Sequence, residues 1–270
     1  MKYESLINLH SFEWEDEKTK DSKKNQKYEE DTDGISALTD IPSFCLAEHF
    51  MYRKSSEEEN LAEDSIVFLK PTPLKNIKCI MVSATADRNI CKYVFGKNRT
   101  KFYECKNARY EGVLNQYHDK SYSRASINAQ TDLFEEIRKR SGFKHLITFK
   151  RYAVRHGYDY YFGNCLGVDK LKGENIDVVG TPYHAEFLYK LIPFTLGLSV
   201  DYNAQMKPQL IAHNGYRTMF KTYEDEVLQK FQLWMLESDL EQAVGRARLL
   251  RCDCVVNVYS RLPLSQAVMK

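Results

Sequence analysis

Apolar and polar positions change rhythm along the chain. Residues 13–33 (EWEDEKTKDSKKNQKYEEDTD) hold almost no aliphatic side chain. A stretch that cannot bury apolar surface reads as disordered or as a surface loop. Over residues 35–54 apolar positions return behind a proline, and the spacing predicts a short helix. A charged run, SSEEEN, then leads to a strand at Ser65–Leu69. Further on, short β-branched runs alternate with stretches of helical period. Strands are predicted at Lys78–Val82, Phe102–Cys105, Lys144–Phe149, Tyr158–Phe162, Ile176–Val179 and Cys254–Tyr259. Between them lie helices at Asp87–Phe95, Thr131–Arg140, YAVRH (152–156) and Glu224–Glu237. In the second of these, Leu133, Phe134 and Ile137 face inward, Asp132 is placed to cap and Gly142 to stop it. In the last, Val227, Leu228, Phe231, Trp234 and Met235 face inward. Strands alternating with helices imply an α/β fold with a parallel sheet flanked by helices. Residues 184–226 break the alternation and read as a helix plus a loop or small insertion.

Charge divides the chain differently. Residues 1–64 hold 8 basic and 17 acidic side chains, a balance of −9, and the remainder holds 31 basic against 20 acidic, a balance of +11. A basic body behind an acidic leader suits a protein that meets a polyanion, or a solvated surface with a disordered leader. No run of about eighteen apolar residues implies a membrane span. The first residues, MKYESLINLHSFEWEDEK, lack the apolar centre of a signal peptide. The seven cysteines are scattered, with Cys252 and Cys254 separated by one residue, and no second pair completes a zinc pattern. They read as reduced thiols of a cytoplasmic protein. His184 and His213 stand alone and read as satisfied side chains rather than metal ligands.

Three stretches carry chemistry. The first is ESDLEQAVGRARLLR (237–251). On a helix, Gln242, Arg246 and Leu249 share one face, Gly245 leaves the backbone open to approach, and Arg246 and Arg248 present planar forks suited to phosphate. A solvated basic helix face is the plainer reading. The second is IMVSATAD (80–87), where Ser83 and Thr85 follow a predicted strand, either as chemistry at a strand's carboxyl end or as caps of the next helix. The third is YYFGNCLGVDKLKGENIDVVGTPYH (160–184), whose turns carry Gly163-Asn164 and Gly167-Val168-Asp169 and whose strand ends in Gly180-Thr181-Pro182. Small residues with a carboxylate at a strand's mouth admit a ligand closely. The exit of the 144–149 strand adds Thr148, Lys150 and Arg151, a short basic loop that fits a nucleic-acid backbone. Tyr117, Tyr122 and Arg124 suit base stacking and phosphate contact, or packing between domains.

Together these stretches resemble, in family order, the last conserved motif, the Ser-Ala-Thr motif and motif V of superfamily 2 helicases. The resemblance covers residues 65–270. It implies a RecA-like helicase C-terminal domain over 111–270, interrupted near 184–226. Residues 65–110 become the remnant of a first RecA-like domain, behind a leader at 1–64. It assigns Arg246 and Arg248 to the γ-phosphate and Gln242, Gly245, Gly167 and Asp169 to the nucleotide. Ser83 and Thr85 fall to coupling, and Thr148, Lys150, Arg151 and Asn164 to nucleic acid. Many members carry the finger arginine seven residues after the Gln, where this chain has Leu249. No G-x-x-x-x-G-K-[ST] phosphate loop occurs in the sequence, nor an acidic strand-end pair ahead of Ser83 to hold Mg²⁺. The resemblance therefore implies a truncated or split helicase of a virus or mobile element. ATP with Mg²⁺ would be shared with a separate chain bearing the phosphate loop, and single-stranded DNA or RNA would be the track. The competing expectations are a non-catalytic nucleic-acid- or partner-binding module, and an α/β domain without nucleotide chemistry.

Overall fold

A computed structural model describes residues 44–53, 64–69, 78–105, 108–165 and 169–270. The chain divides into two units, Met1–Cys79 and Ile80–Lys270. Residues 80–110, assigned from the sequence to a first-domain remnant, thus belong with the larger unit.

In the first unit, β1 (His49–Arg53) pairs antiparallel with β2 (Ser65–Leu69). The rings of Phe50 and Phe68 each meet Phe44 edge-on at 5.2 Å. The strand expected at 65–69 is present, but it belongs to a two-stranded ribbon and not to a parallel sheet. The helix expected over 35–54 is represented by one turn at Phe44–Cys45, after which the chain extends into β1; residues 35–43 lie outside the described residues.

The second unit is built on six parallel strands. These are β3 (Val113–Tyr117), β4 (His145–Thr148), β5 (Tyr160–Tyr161), β6 (Ile176–Val179), β9 (Val255–Tyr259) and β10 (Val268–Met269), in the order β10-β3-β9-β6-β4-β5. Alternation along the central strands assigns each residue to a face. Leu114, Ile147, Ile176, Val178, Val256 and Val258 join the core under the long helix α6 (Glu226–Val244). Leu146, Val179 and Tyr259 join the core under three helices on the opposite face. These are α2 (Arg124–Asn128), α3 (Leu133–Ser141) and α4 (Lys150–His156). Because both faces are covered, β6 is buried at all four positions, as central strands of parallel sheets are. Leu133, Phe134 and Ile137 of α3 are buried as expected, and Gly142 ends the helix in the left-handed region at φ 68°. Asp132 makes no side-chain capping bond. Helix α6 is buried on more than one stripe, since Leu228, Phe231, Leu233, Leu236 and Leu240 are all in the core.

Residues 184–226 contain the expected helix, α5 (Glu186–Thr195), and a hairpin, β7 (Lys207–His213) with β8 (Tyr216–Thr222). The turn is Asn214-Gly215, both at positive φ, the pair that two-residue hairpin turns select. Two predicted strands do not form. Residues 78–82 and 102–105 carry no regular secondary structure, with Ile80, Met81 and Val82 exposed at 85%, 61% and 97%. An apolar run becomes a strand only where a neighbour offers a hydrogen-bonding ladder, and no described strand flanks either segment. Among the described residues no helix is long and apolar enough to cross a membrane. The seven cysteines are unbridged.

Candidate functional site

The candidate residues fall into two groups at opposite edges of the parallel sheet. The amino edge carries the arginines. Helix α6 stops at Val244, and Gly245–Ala247 tighten into a 3₁₀ turn. Arg248 then adopts a left-handed conformation at φ 62°, and Leu249–Arg251 form a turn. The predicted helical face through Gln242, Arg246 and Leu249 is therefore not formed. Leu249 is 2% exposed, and its carbonyl accepts from the backbone N–H of Glu111 and Gly112, just before β3. Its side chain belongs to the core and is not turned to a ligand. The reason is packing: Gly112 lies so close that an added Cβ would meet Leu249 Cδ2 at 2.7 Å and the carbonyl of Cys254 at 2.4 Å. Gly245 sits in ordinary helical backbone with open space around it, as the expected free approach requires.

Arg246 and Arg248 are held in different ways. Arg246 Nε donates back to the carbonyl of Gln242 at 3.0 Å. Arg248 Nη2 donates to Asp169 Oδ1 at 2.7 Å. That bond joins Asp169, the last residue of the Gly-x-Asp stretch, to the arginine turn across 79 residues of sequence. Hydrogen bonding to Arg248 holds the Asp169 carboxyl below the usual carboxylate range, with Arg246 and Lys172 adding to the field. Both side chains of the pair are open to solvent, 43% and 75% exposed, so an incoming anion can compete for Arg248. Cys165, buried nearby within the fields of Arg246 and Asp239, has its thiol pushed up by that burial. Gly167 lies outside the described residues.

The carboxyl edge carries the basic loop. Thr148 ends β4 fully buried, and its hydroxyl donates to the carbonyl of Val179 at 2.8 Å. It fastens two strands together and cannot touch a nucleic acid, which corrects its assignment. The expectation failed because β4 is covered on both faces, so its last residue points into protein. Lys150 and Arg151 follow at the start of α4, both exposed. Lys150 Nζ stands 5.9 Å from the Tyr161 ring centroid. Asn164 is occupied in its own turn, accepting from the N–H of Tyr161 at 2.6 Å and donating to the carbonyl of Asp159 at 3.3 Å. Tyr122 is buried, with its hydroxyl on Asp119, and Tyr117 is stacked on Tyr259 at 4.8 Å; both pack, and neither offers an open ring face for bases. Arg124 remains exposed, 4.8 Å over the Phe149 ring, with one bond to the carbonyl of Tyr183. Gly180, read as room for a ligand, faces Phe149, whose ring would lie 2.6 Å from an added Cβ.

The Ser-Ala-Thr stretch is tied to α6. Trp234 Nε1 donates to the carbonyl of Thr85 at 2.8 Å, and Lys230 reaches Asp87 at 3.6 Å. Ser83 Oγ accepts from the Thr85 N–H. Helix α1 (Arg88–Phe95) is capped by Asp87, whose carboxylate accepts from Asn89 and Ile90, so neither hydroxyl is a helix cap. Trp234 was expected only as core; the indole nitrogen facing a strand-exit carbonyl carries no sequence signal. His184 and His213 sit on Asp239 and Glu237, at 3.2 and 3.1 Å.

The residues present fit one part of a nucleotide site. Two arginines at one turn can meet an anion. Among the described residues no three His, Cys, Asp or Glu side chains gather to hold a metal ion, and the sequence supplies no phosphate loop. A nucleotide with its cation would have to be held by other groups. Comparison of the chain with protein-family models, with curated proteins and with solved structures finds no significant match.

Proposed function

We propose that residues 80–270 form the second RecA-like half of a superfamily 2 nucleic-acid motor. It contributes arginine to a phosphate held by another polypeptide segment and grips a single DNA or RNA strand through its phosphates. The observation that carries this reading is the 2.7 Å bond between Arg248 and Asp169. Two stretches singled out separately in the sequence meet at one edge of a parallel sheet, beside Arg246. Parallel order, both faces covered by helices, and a Ser-Ala-Thr segment docked on the helix that leads to the arginines add support.

The chain's own part in the reaction is electrostatic. In the open state Asp169 holds Arg248 in place while neutralising it. When a phosphate approaches the amino edge, Arg248 exchanges the carboxylate for phosphate oxygens, and Arg246 can leave the Gln242 carbonyl to join it. An arginine placed in this way stabilises charge developing on a transferring phosphoryl group, an effect of about 10³–10⁵ in rate in other NTPases. The nucleotide supplies that phosphoryl group when bound. At the carboxyl edge Lys150, Arg151 and Arg124 contact the strand's backbone without reading its sequence.

A second reading is favoured by the same contacts. Both arginines are engaged within the chain, so a binding module that no longer uses them would look alike. Strand binding and ATP turnover by the purified chain, with and without single-stranded DNA or RNA, test the first reading. The expected result is salt-sensitive strand binding without turnover, and binding that weakens in Lys150→Ala/Arg151→Ala. Absence of strand binding would overturn it, as would turnover unaffected by Arg246→Ala and Arg248→Ala. To separate motor half from idle module, a phosphate-loop-bearing helicase half is added in trans. Strand-stimulated turnover that Arg248→Ala removes supports the motor.

A further inference from the structure

The β7–β8 hairpin has two unlike faces. Ile211 and Phe220 point inward and join the main core. The other face consists of three cross-strand pairs, Pro208–Lys221, Leu210–Met219 and Ala212–Arg217, and all six residues are exposed. Leu210 is 63% and Met219 49% exposed at its centre, with a cation on either side along β8. Neither strand contains an acidic residue. Lys207, Arg217 and Lys221 form no ion pair with a described carboxylate.

The hairpin does not project. Its tip is tied back, since Asn214 Nδ2 donates to Glu237 at 2.6 Å and to the carbonyl of Pro263 at 2.9 Å, beside the His213–Glu237 contact. Its underside rests on Tyr183, whose ring stacks on Phe220 at 5.5 Å. The carbonyl of that same Tyr183 accepts from Arg124, one of the exposed cations of the carboxyl edge. The hairpin's underside and the basic edge of the sheet therefore share one residue, Tyr183.

We propose that this flat face is a second contact surface for single-stranded nucleic acid, an inference that rests on the strand-binding part of the reading above. Lys221 and Arg217 are four residues apart on one strand, about 14 Å along it. They contact backbone phosphates, while Leu210 and Met219 between them cover bases with apolar surface. Cations bracketing an apolar centre give a grip that tolerates any sequence and falls with salt. The occupant is a polyanion with apolar flat groups, which a single strand is. An acidic peptide shares the charge but lacks the regular apolar spacing.

The test uses the full chain and dye-labelled oligo-dT and oligo-U, followed by anisotropy across a salt series. Arg217→Glu/Lys221→Glu is expected to weaken binding at least tenfold and to reduce the salt slope by about 1.4, two phosphate contacts on a single strand. Leu210→Ser/Met219→Ser is expected to weaken it about threefold with the slope kept. A thiouracil-bearing oligonucleotide should photocrosslink to the peptide that contains Met219, a readout independent of any variant's folding. If the hairpin variants bind as the parent does while Lys150→Ala/Arg151→Ala binds more weakly, the hairpin proposal falls and the carboxyl-edge reading stands. If the parent binds no strand, both fall. If polyglutamate binds the hairpin face and leaves oligonucleotide affinity untouched, the surface belongs to a protein partner and the proposal is overturned.

Discussion

At the amino edge of the sheet a cation is held by a carboxylate, whereas at the carboxyl edge cations stand over aromatic rings. Arg248 is locked on Asp169 at 2.7 Å. Lys150 stands 5.9 Å from the Tyr161 centroid and Arg124 4.8 Å from that of Phe149. A carboxylate fixes an arginine and cancels its charge. A ring steadies a cation by its quadrupole and leaves the charge on offer. The first arrangement suits a group that must be released by a competing anion, the second one that meets a polyanion at any time.

A steric contrast between two glycines of the amino edge gives the largest expected effect. Gly112→Ala drives a methyl group into the carbonyls of Cys254 and Cys252 at 2.4 and 2.8 Å. It should cost roughly 3 kcal/mol, read as a lower urea midpoint at unchanged slope. Gly245→Ala, with nothing within 4 Å and ordinary helical φ, should be neutral or stabilise by about 0.5–1 kcal/mol. Equal effects at both glycines would show that the arginine turn is not braced as described.

The next effect is in pH. Asp177 lies buried in the central strand β6, where it accepts from Ser141 at 2.6 Å and from Asn257 at 3.0 Å. Burial outweighs these bonds and pushes its carboxyl up from 3.8 to about 6. Between those values the folded chain holds a proton that the unfolded chain has lost, so stability falls as pH rises, by about 3 kcal/mol for this group. Glu241, pushed up to about 7 by burial and then by Glu237, acts in the same direction. Asp169, held low by Arg248, acts oppositely: its contribution is present above pH 3.8 and is lost only as pH falls below that. Urea midpoints at pH 4, 5, 6 and 7 should decline, and Asp177→Asn should flatten the decline. A flat parent profile would remove Asp177 as its source.

Smaller again is Lys150→Ala/Arg151→Ala, expected to weaken single-strand binding about five- to tenfold and to lower the salt slope by about 1.4. The smallest is Asp169→Asn. Release of Arg248 should leave the thermal midpoint unchanged and raise affinity for tripolyphosphate about threefold in calorimetric titration. A loss of affinity there would mean that the carboxylate aims the arginine rather than withholding it.

What the sequence made legible depended on whether a signal was local. Ile176–Val179 appears with its predicted bounds, and α3 ends at Gly142 as its missing Cβ allows. The strand expected at Lys78–Val82 needed a neighbour, which no local run can announce. Thr148 looked available because a strand exit is usually open, yet the Val179 carbonyl had already claimed its hydroxyl. Leu249 sits where a helical projection put a ligand-facing group, but the helix had ended at Val244. The Asn214-Gly215 turn between alternating residues was a hairpin signal in plain view, masked by reading the whole interval as an insertion. The pairing of Arg248 with Asp169 could not be read from either stretch alone.

The bond from Trp234 to the Thr85 carbonyl gives the molecule an optical gauge. The chain has two tryptophans, Trp14 and Trp234. With Trp14→Phe, all indole emission comes from a ring that is half-buried and hydrogen-bonded at the junction between the Ser-Ala-Thr segment and the helix that leads to the arginines. Whenever that segment lifts, the ring gains water and its emission moves to the red. Movement between the two motifs can thus be followed in real time without attaching any label.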